Sequence, residues 1–311
     1  MPRGTRALGV MNKPLLAFLA LAATCLSTVA SAATFAVLCD NFSEIAARAC
    51  TIKLSGRIEA GDSDRLRSVL QRSLPEGWHY GALLLDSPGG SVHAALEVAT
   101  LVRQALLDTT TIRVPADART AITAGASARI RWKCISACFL VWVAGAERAS
   151  FAYSLRPGDT SDIGLHRPYL DRSAYEGPPE RVAASQQQVM QATAEYLKRE
   201  QVPQALIEKM LQRASTQIYW LTDDDADITG RAPWFEEMMI ARCGYDPTYD
   251  RESSAWAANA IDENAKRQLA SGKTKVTPID LGPRNQKYIE WRQRYNACEY
   301  GVRRSAQAAI R

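Results

Sequence analysis

Three short motifs hold the residues of this 311-residue chain that are best suited to chemistry. Ser136 lies in the segment Cys-Ile-Ser-Ala-Cys at 134–138, and His166 lies in Ile-Gly-Leu-His-Arg-Pro at 163–168. A serine hydroxyl is a poor nucleophile at neutral pH, so it needs an imidazole to accept its proton and backbone N–H groups to face the oxyanion that forms. The glycine turn Asp-Ser-Pro-Gly-Gly-Ser at 86–91 supplies such amides. The three motifs together predict a nucleophile, a general base and an oxyanion cradle.

The sequence around these motifs predicts an α/β fold in which strands lead into the candidate catalytic residues. Residues 82–85 form a continuous apolar run bounded by turn signals, which is typical of a strand buried on both faces of a parallel sheet. This strand leads into the glycine turn, a helix over 91–107 and a strand over 110–114, which is the order of a right-handed crossover unit. Another predicted strand, 163–166, ends at His166.

Ser136 is predicted at the start of a buried helix, because residues 135–144 are apolar on every side. Free amides and the helix dipole stabilise negative charge at such an N-terminus. We therefore expect the N–H of Ala137 to donate to the oxyanion. The simpler alternative for Ser136 is an N-cap, a role that serine often fills.

The rest of the chain is predicted to be mainly helical. Two helices and a strand are predicted over 179–200, 203–214 and 218–221. Residues 116–130, which are rich in Ala, Thr, Gly and Arg, have the composition of an inserted loop or lid. From residue 243 the pattern becomes polar and helical, so we expect an α/β domain over 33–242 and a helical extension over 243–311 that packs on it.

The first 32 residues have the pattern of a signal peptide. Lys13 precedes an apolar run over 15–26 that is too short to span a bilayer comfortably, and Ala30-Ser31-Ala32 follows. We expect cleavage after Ala32 and a periplasmic or secreted protein without a stable membrane span. Loss of the three basic residues of the leader lowers the formal net charge from +5 to +2, which gives nucleic-acid binding no support.

Six cysteines remain after the leader is removed, and an even number in an oxidising compartment predicts disulfides. Order along the chain favours the pairs Cys39–Cys50, Cys134–Cys138 and Cys243–Cys298. A redox or metal role is the alternative for the cysteines that flank Ser136. The chain has only three histidines and no second cysteine pair at ligand spacing, so we expect no metal site.

Taken in order, the three motifs resemble the proteolytic subunit of the Clp protease. The matching segments are Leu-Asp-Ser-Pro-Gly-Gly-Ser-Val at 85–92, the Ser-Ala pair that opens the apolar helix, and Ile-Gly-Leu-His-Arg-Pro at 163–168. Exported Clp-like proteins with a Cys-x-Ser-x-Cys motif are the most similar branch. The resemblance covers roughly residues 50–230 in element order.

The resemblance implies a crotonase-like spiral of β-β-α units and a serine peptidase, which is a hydrolase that needs no cofactor. By match to the motifs, Ser136 is the nucleophile and His166 the general base, while Gly90 and Ala137 supply oxyanion N–H groups. The turn at Gly89 and Gly90 is also implied to hold an extended peptide or unfolded protein by strand addition. Members of the family assemble through a long handle helix, here the predicted helix that follows His166, which implies a homo-oligomer.

One departure from the family concerns the third member of its triad. The family's acid precedes the strand that corresponds to 218–221, and here residues 214–218 contain no carboxylate. An acid-free dyad is slower, because the acid fixes the imidazole tautomer and stabilises the imidazolium. Nearby polar residues are candidates to orient His166 instead: Ser215, Thr216, Gln217, Asp162 and Asp223.

Two other functions remain open at this point. The missing carboxylate favours a catalytically weak or inactive protein that keeps the fold and serves as a peptide-binding module or scaffold. Acyl-CoA chemistry on a crotonase fold is a third reading, which fits poorly with export.

Overall fold

A six-stranded mixed sheet forms the centre of the fold. This is a computed structural model, and it describes residues 32–39, 49–113, 130–131, 133–150, 161–170, 177–272, 277 and 279–310. The expected leader lies outside the described residues apart from Ala32, and the expected loop over 116–130 lies outside them apart from Ile130. Residues Ser31–Arg311 belong to one compact unit.

Strands and helices mix along the chain as far as Arg231, after which the described chain is helical. The strands are β1 Thr34–Leu38, β2 Ala49–Ser55, β3 His79–Asp86, β4 Asp108–Thr110, β5 Ile112–Arg113, β6 Ile130–Arg131, β7 Cys134–Ile135, β8 Glu147–Ala149, β9 Ile163–Leu165, β10 Tyr219–Trp220 and β11 Gly230–Arg231. The α-helices are α1 Asp62–Leu70, α2 Val92–Gln104, α3 Ala137–Trp142, α4 Pro179–Arg199, α5 Gln204–Gln212, α6 Pro233–Cys243, α7 Pro247–Ala270 and α8 Gly282–Ala308, and a 3-10 helix covers Asp223–Ile228.

The main sheet has the order β1-β2-β3-β4-β8-β11. Its four inner strands are parallel, and its two edge strands run antiparallel to their neighbours. The predicted crossover is present, because α2 connects β3 to the parallel strand β4. The three leucines Leu83–Leu85 are fully or almost fully buried, as expected for a strand covered on both faces, but β3 begins at His79, earlier than the apolar run suggested.

A second, three-stranded sheet carries the candidate site, with the order β10-β9-β7. In this sheet β7 and β9 are parallel, and β10 runs antiparallel to β9. The glycine turn after β3 extends this sheet, because Ser87 forms a parallel bridge with Cys134. On its other side, Gly90 forms a bridge with Ile58, which follows β2. The end of the main sheet and the second sheet therefore meet at the glycine turn.

The helix predicted over 135–144 is present as α3, and all six of its residues are buried. Its first predicted residue, Ile135, belongs instead to β7. The hydroxyl of Tyr196 in α4 donates a hydrogen bond to the carbonyl oxygen of Leu140 at 2.8 Å, which ties the long helix to this core element. The helices predicted over 179–200 and 203–214 correspond to α4 and α5.

The last helix, α8, packs on the main sheet at the end opposite to the glycine turn. The side chain of Gln307 in α8 accepts a hydrogen bond from the N–H of Tyr80 at 3.0 Å and donates to the carbonyl of the same residue at 2.7 Å. This pairing occurs beside the register shift between β2 and β3. His79 lies next to it, buried, with its ring 5.4 Å from that of Tyr300.

Candidate active site

Ser136 occupies the turn between β7 and α3. Its backbone has φ +59° and ψ −126°, a conformation that costs a non-glycine residue about 1–3 kcal/mol. The same kind of strained strand-to-helix turn exposes the nucleophilic serine of hydrolases with other folds. Although Ser136 stands at the N-cap position, its side chain makes no capping hydrogen bond. The N-cap alternative therefore does not account for this serine.

His166 follows β9 directly, next to the strand that leads into Ser136. The register pairs Ile135 with Gly164, and the N–H of Ser136 donates to the carbonyl of Gly164 at 2.8 Å. Because β7 and β9 are parallel, the two functional side chains lie at the same end of adjacent strands. Among the described residues, no hydrogen bond joins the Ser136 hydroxyl to the imidazole of His166.

The imidazole of His166 is held by its own loop. The ring is 8% exposed, and its Nδ1 lies 2.9 Å from the carbonyl oxygen of Arg167. A carbonyl oxygen can only accept, so this hydrogen bond requires the proton on Nδ1 and leaves Nε2 as the basic nitrogen. The ring of Tyr169 stacks on the imidazole with centroids 5.6 Å apart. Nothing in the sequence motif pointed to this carbonyl or to Tyr169.

Gly89 brings the glycine turn into contact with Ser136. A Cβ atom at Gly89 would lie 2.6 Å from the carbonyl oxygen of Ile135 and 2.7 Å from the Cβ of Ser136, and its φ of +95° also requires glycine. The N–H of Gly89 is not available to a substrate, because it donates to the hydroxyl oxygen of Ser87 at 3.1 Å. The contribution of Gly89 is therefore its lack of a side chain.

Gly90 and Ala137 leave their amides unused. Within the described part of the chain, neither N–H has a hydrogen-bond partner. The carbonyl of Gly89 accepts from the N–H of Ile58 at 2.8 Å, and the N–H of Ser91 donates to the carbonyl of Ile58 at 2.9 Å, so the turn is fixed on both sides of Gly90. One of these amides directly follows Ser136, and the other directly follows Gly89, which contacts Ser136. Unused amides of this kind are suited to an oxyanion.

No carboxylate orients His166 among the described residues. Asp162 is buried, but its carboxylate accepts a hydrogen bond from the hydroxyl of Thr111 at 2.5 Å. Its Cα lies four extended residues before His166, a separation of about 13 Å along the strand. The side chains of Ser215, Thr216 and Gln217 make no hydrogen bond to His166 either, and the side chain of Asp223 lies outside the described part of the structure.

The structure contains three disulfides, and they join the pairs that order along the chain favours: Cys39–Cys50, Cys134–Cys138 and Cys243–Cys298. The second pair spans the serine turn, since Cys134 lies in β7 and Cys138 in α3, and both cysteines are fully buried. Three disulfides are compatible with an extracellular protein. No cluster of metal-binding side chains occurs in the described ranges.

The two remaining histidines lie away from Ser136. His93, in the first turn of α2, has a side chain that is 87% exposed, and its Nε2 lies 3.4 Å from a carboxylate oxygen of Glu97. His79 lies at the start of β3, whereas the glycine turn follows the end of that strand. Neither competes with His166 for the role of base.

Twenty-six chains of solved structures are similar to this chain. No protein-family model matches the chain, and no curated protein matches it in sequence. The 1510-N membrane-bound stomatin-specific protease, solved as a mutant, is similar over 63% of this chain and 84% of its own, with 16% identity and a TM-score of 0.33. In the described part of the chain, no helix is both long and apolar enough to cross a membrane.

Proposed function

We propose that this chain is an exported serine peptidase of Clp-like fold, with Ser136 as nucleophile and His166 as general base. The observation that carries the proposal is the backbone of Ser136, which is held at φ +59° while its hydroxyl serves no capping role. Strained conformations of this kind cluster at active sites, where the surrounding structure maintains them. Here the surroundings are the bond to Gly164, the contact with Gly89 and the disulfide between the flanking cysteines.

The geometry supports the following sequence of events. Ser136 attacks the scissile carbonyl while Nε2 of His166 accepts the hydroxyl proton. The N–H groups of Gly90 and Ala137 donate to the oxyanion of the tetrahedral intermediate. The imidazolium then returns the proton to the leaving amine, and water repeats the cycle on the acyl-enzyme. Binding of substrate has to bring Ser136 and His166 into hydrogen-bond contact, since such contacts are often loose in unliganded enzymes.

The proposed substrate is an extended peptide or an unfolded protein. The glycine turn offers backbone groups beside the nucleophile, and main-chain pairing binds a strand without demanding one sequence. We also propose the crotonase-like spiral, the removal of residues 1–32 and an oxidising location, which the three disulfides support. A homo-oligomer through α4 is proposed because the first half of this helix is largely exposed.

Labelling with a fluorophosphonate tests the proposal. After reduction and trypsin digestion, Ser136 lies in the peptide 134–148, where it is the only serine and where no threonine or tyrosine occurs. We expect the probe mass on this peptide in the oxidised mature protein. Ser136→Ala and His166→Ala should abolish the label, while Ser254→Ala, which alters an exposed serine in α7, should keep it.

A second candidate is a peptide-binding scaffold without catalysis. The observation that favours it is the imidazole of His166, which is oriented by a carbonyl and not by a carboxylate. This function predicts that the folded, oxidised protein stays unlabelled by every serine probe and still binds extended peptides. An unlabelled protein would overturn the peptidase proposal.

A further inference from the structure

The loop that follows His166 is anchored by one side chain from another element, Gln186 of α4. Its Nε2 donates to the carbonyl oxygen of Pro168 at 2.6 Å, and its Oε1 accepts from the N–H of Leu170 at 3.1 Å. The two partners fix the orientation of the amide, because a carbonyl can only accept and an N–H can only donate. Pro168 has no N–H, so its carbonyl is its only backbone group that can form a hydrogen bond. Gln186 binds this carbonyl.

The anchored loop is also the loop that holds the imidazole. Arg167, whose carbonyl accepts from Nδ1 of His166, directly precedes Pro168. Tyr169, which stacks on the ring, lies between the two residues that Gln186 binds. The amide of Gln186 therefore holds the segment that contacts the imidazole on both an edge and a face.

We infer that Gln186 is a positioning residue for His166 and that the clamp on residues 167–170 replaces the missing triad acid; this inference rests on the proposed function. In a triad the acid fixes the imidazole tautomer and orientation. The carbonyl of Arg167 does both, provided that the loop keeps its position. The carbonyl carries no full charge, so it stabilises the imidazolium less than a carboxylate does. The clamp therefore sets the orientation and the tautomer of the imidazole, and adds little to the stability of its charged form.

Two neighbouring glutamines provide a matched comparison. Gln186→Ala removes both hydrogen bonds of the clamp, whereas Gln187→Ala changes the next residue of the same helix, which is exposed. We expect the first-order rate of inactivation by a fluorophosphonate to fall about 10–100-fold in Gln186→Ala, because misplacing a catalytic group by about 1 Å costs this much. The affinity for the probe should not change, and Gln187→Ala should match the wild type.

A conservative variant tests the same bonds if Gln186→Ala does not fold. Gln186→Glu keeps an oxygen that accepts from Leu170 and loses the donor to Pro168. We expect its inactivation rate to lie between those of the wild type and the alanine variant. A rate equal to the wild type in every one of these variants that folds would overturn the inference.

Nitrogen-15 NMR of the imidazole gives a readout that does not depend on activity. The mature protein has three histidines, so His166→Ala identifies the signal. We expect the neutral ring to carry its proton on Nδ1 in the wild type and to populate the Nε2–H tautomer in Gln186→Ala. If the wild type resists the probe but Gln186→Ala still differs from it in tautomer, the proposed function fails and the clamp stands. If the wild type is labelled and both variants keep its rate and tautomer, only the clamp fails.

Discussion

Gly89→Ala is a direct test of the contact between the glycine turn and Ser136, the proposed nucleophile. The added Cβ would lie 2.6 Å from the carbonyl oxygen of Ile135, 2.7 Å from the Cβ of Ser136 and 3.0 Å from the nitrogen of Ala137. These atoms belong to the backbone or are bonded directly to it, so no flexible side chain can move away. The substitution must displace the glycine turn or the serine turn by several tenths of an ångström.

The free-energy cost of Gly89→Ala has two parts, and alanine substitutions at other glycines distinguish them. A side chain at the positive φ of Gly89 costs about 1–2 kcal/mol, and overpacking adds about 1–3 kcal/mol. Gly230 has φ +82° and no atom within 4 Å of the added Cβ, so Gly230→Ala carries the first cost alone. Gly301 lies within α8 with open space around it, so Gly301→Ala should stabilise the protein by about 1 kcal/mol.

Urea unfolding of the oxidised mature proteins measures these differences. We expect the free energy of unfolding to decrease in the order Gly301→Ala, wild type, Gly230→Ala, Gly89→Ala. Only Gly89→Ala should also slow fluorophosphonate labelling of Ser136, by about 10–100-fold. If Gly89→Ala were as stable as Gly230→Ala and were labelled at the wild-type rate, the glycine turn would not contact the serine as described.

Two further measurements address the far end of the sheet and the disulfide at the serine. Burial lowers the pKa of His79 from 6.5 to about 4, so the folded protein binds fewer protons than the unfolded chain between these values. The contribution of His79 should therefore lower stability by roughly 2 kcal/mol from pH 7 to pH 5, and comparison with His79→Gln at each pH should isolate this loss. Replacing Cys134 and Cys138 by alanine opens a loop of 4 residues. This should lower the unfolding free energy by about 2 kcal/mol and slow labelling of Ser136.

Controls for both measurements are available in the chain. His93→Gln alters an exposed histidine and should keep the wild-type pH dependence in urea unfolding. If His79→Gln kept it as well, the imidazole of His79 would be solvated in the native protein. Unchanged labelling after removal of both cysteines would mean that the bonds of the serine turn hold Ser136 without the disulfide.

The sequence motifs predicted that the candidate catalytic residues and the glycine turn lie at the ends of strands or helices. Continuous apolar character identified β3 and α3, so the positions of Ser136 and the glycine turn at the ends of buried elements followed from local pattern. The place of His166 at the end of β9 followed in the same way. These predictions depend on periodicity and turn chemistry, which act over a few residues.

The orientation of His166 was not predictable in this way. A backbone carbonyl has no residue type, so the partner Arg167 leaves no signal in the sequence. Gln186 lies 20 positions after His166 and is the first of three consecutive glutamines at 186–188, and nothing local distinguishes it from the other two. Only the packing of α4 against the loop selects Gln186. The local sequence therefore predicts neither the carbonyl that binds His166 nor the amide that binds the loop after it.

The pairing of Gln307 with the backbone of Tyr80 has a consequence for how the chain folds. These residues are 227 positions apart, so the start of β3 is completed only by the last turns of the last helix. Closing such a loop costs about 3 kcal/mol more than closing the 11-residue loop of the first disulfide. Contacts of this sequence separation slow folding. The backbone groups of Tyr80 at the start of the central strand therefore stay without these partners until the chain has been synthesised as far as Gln307.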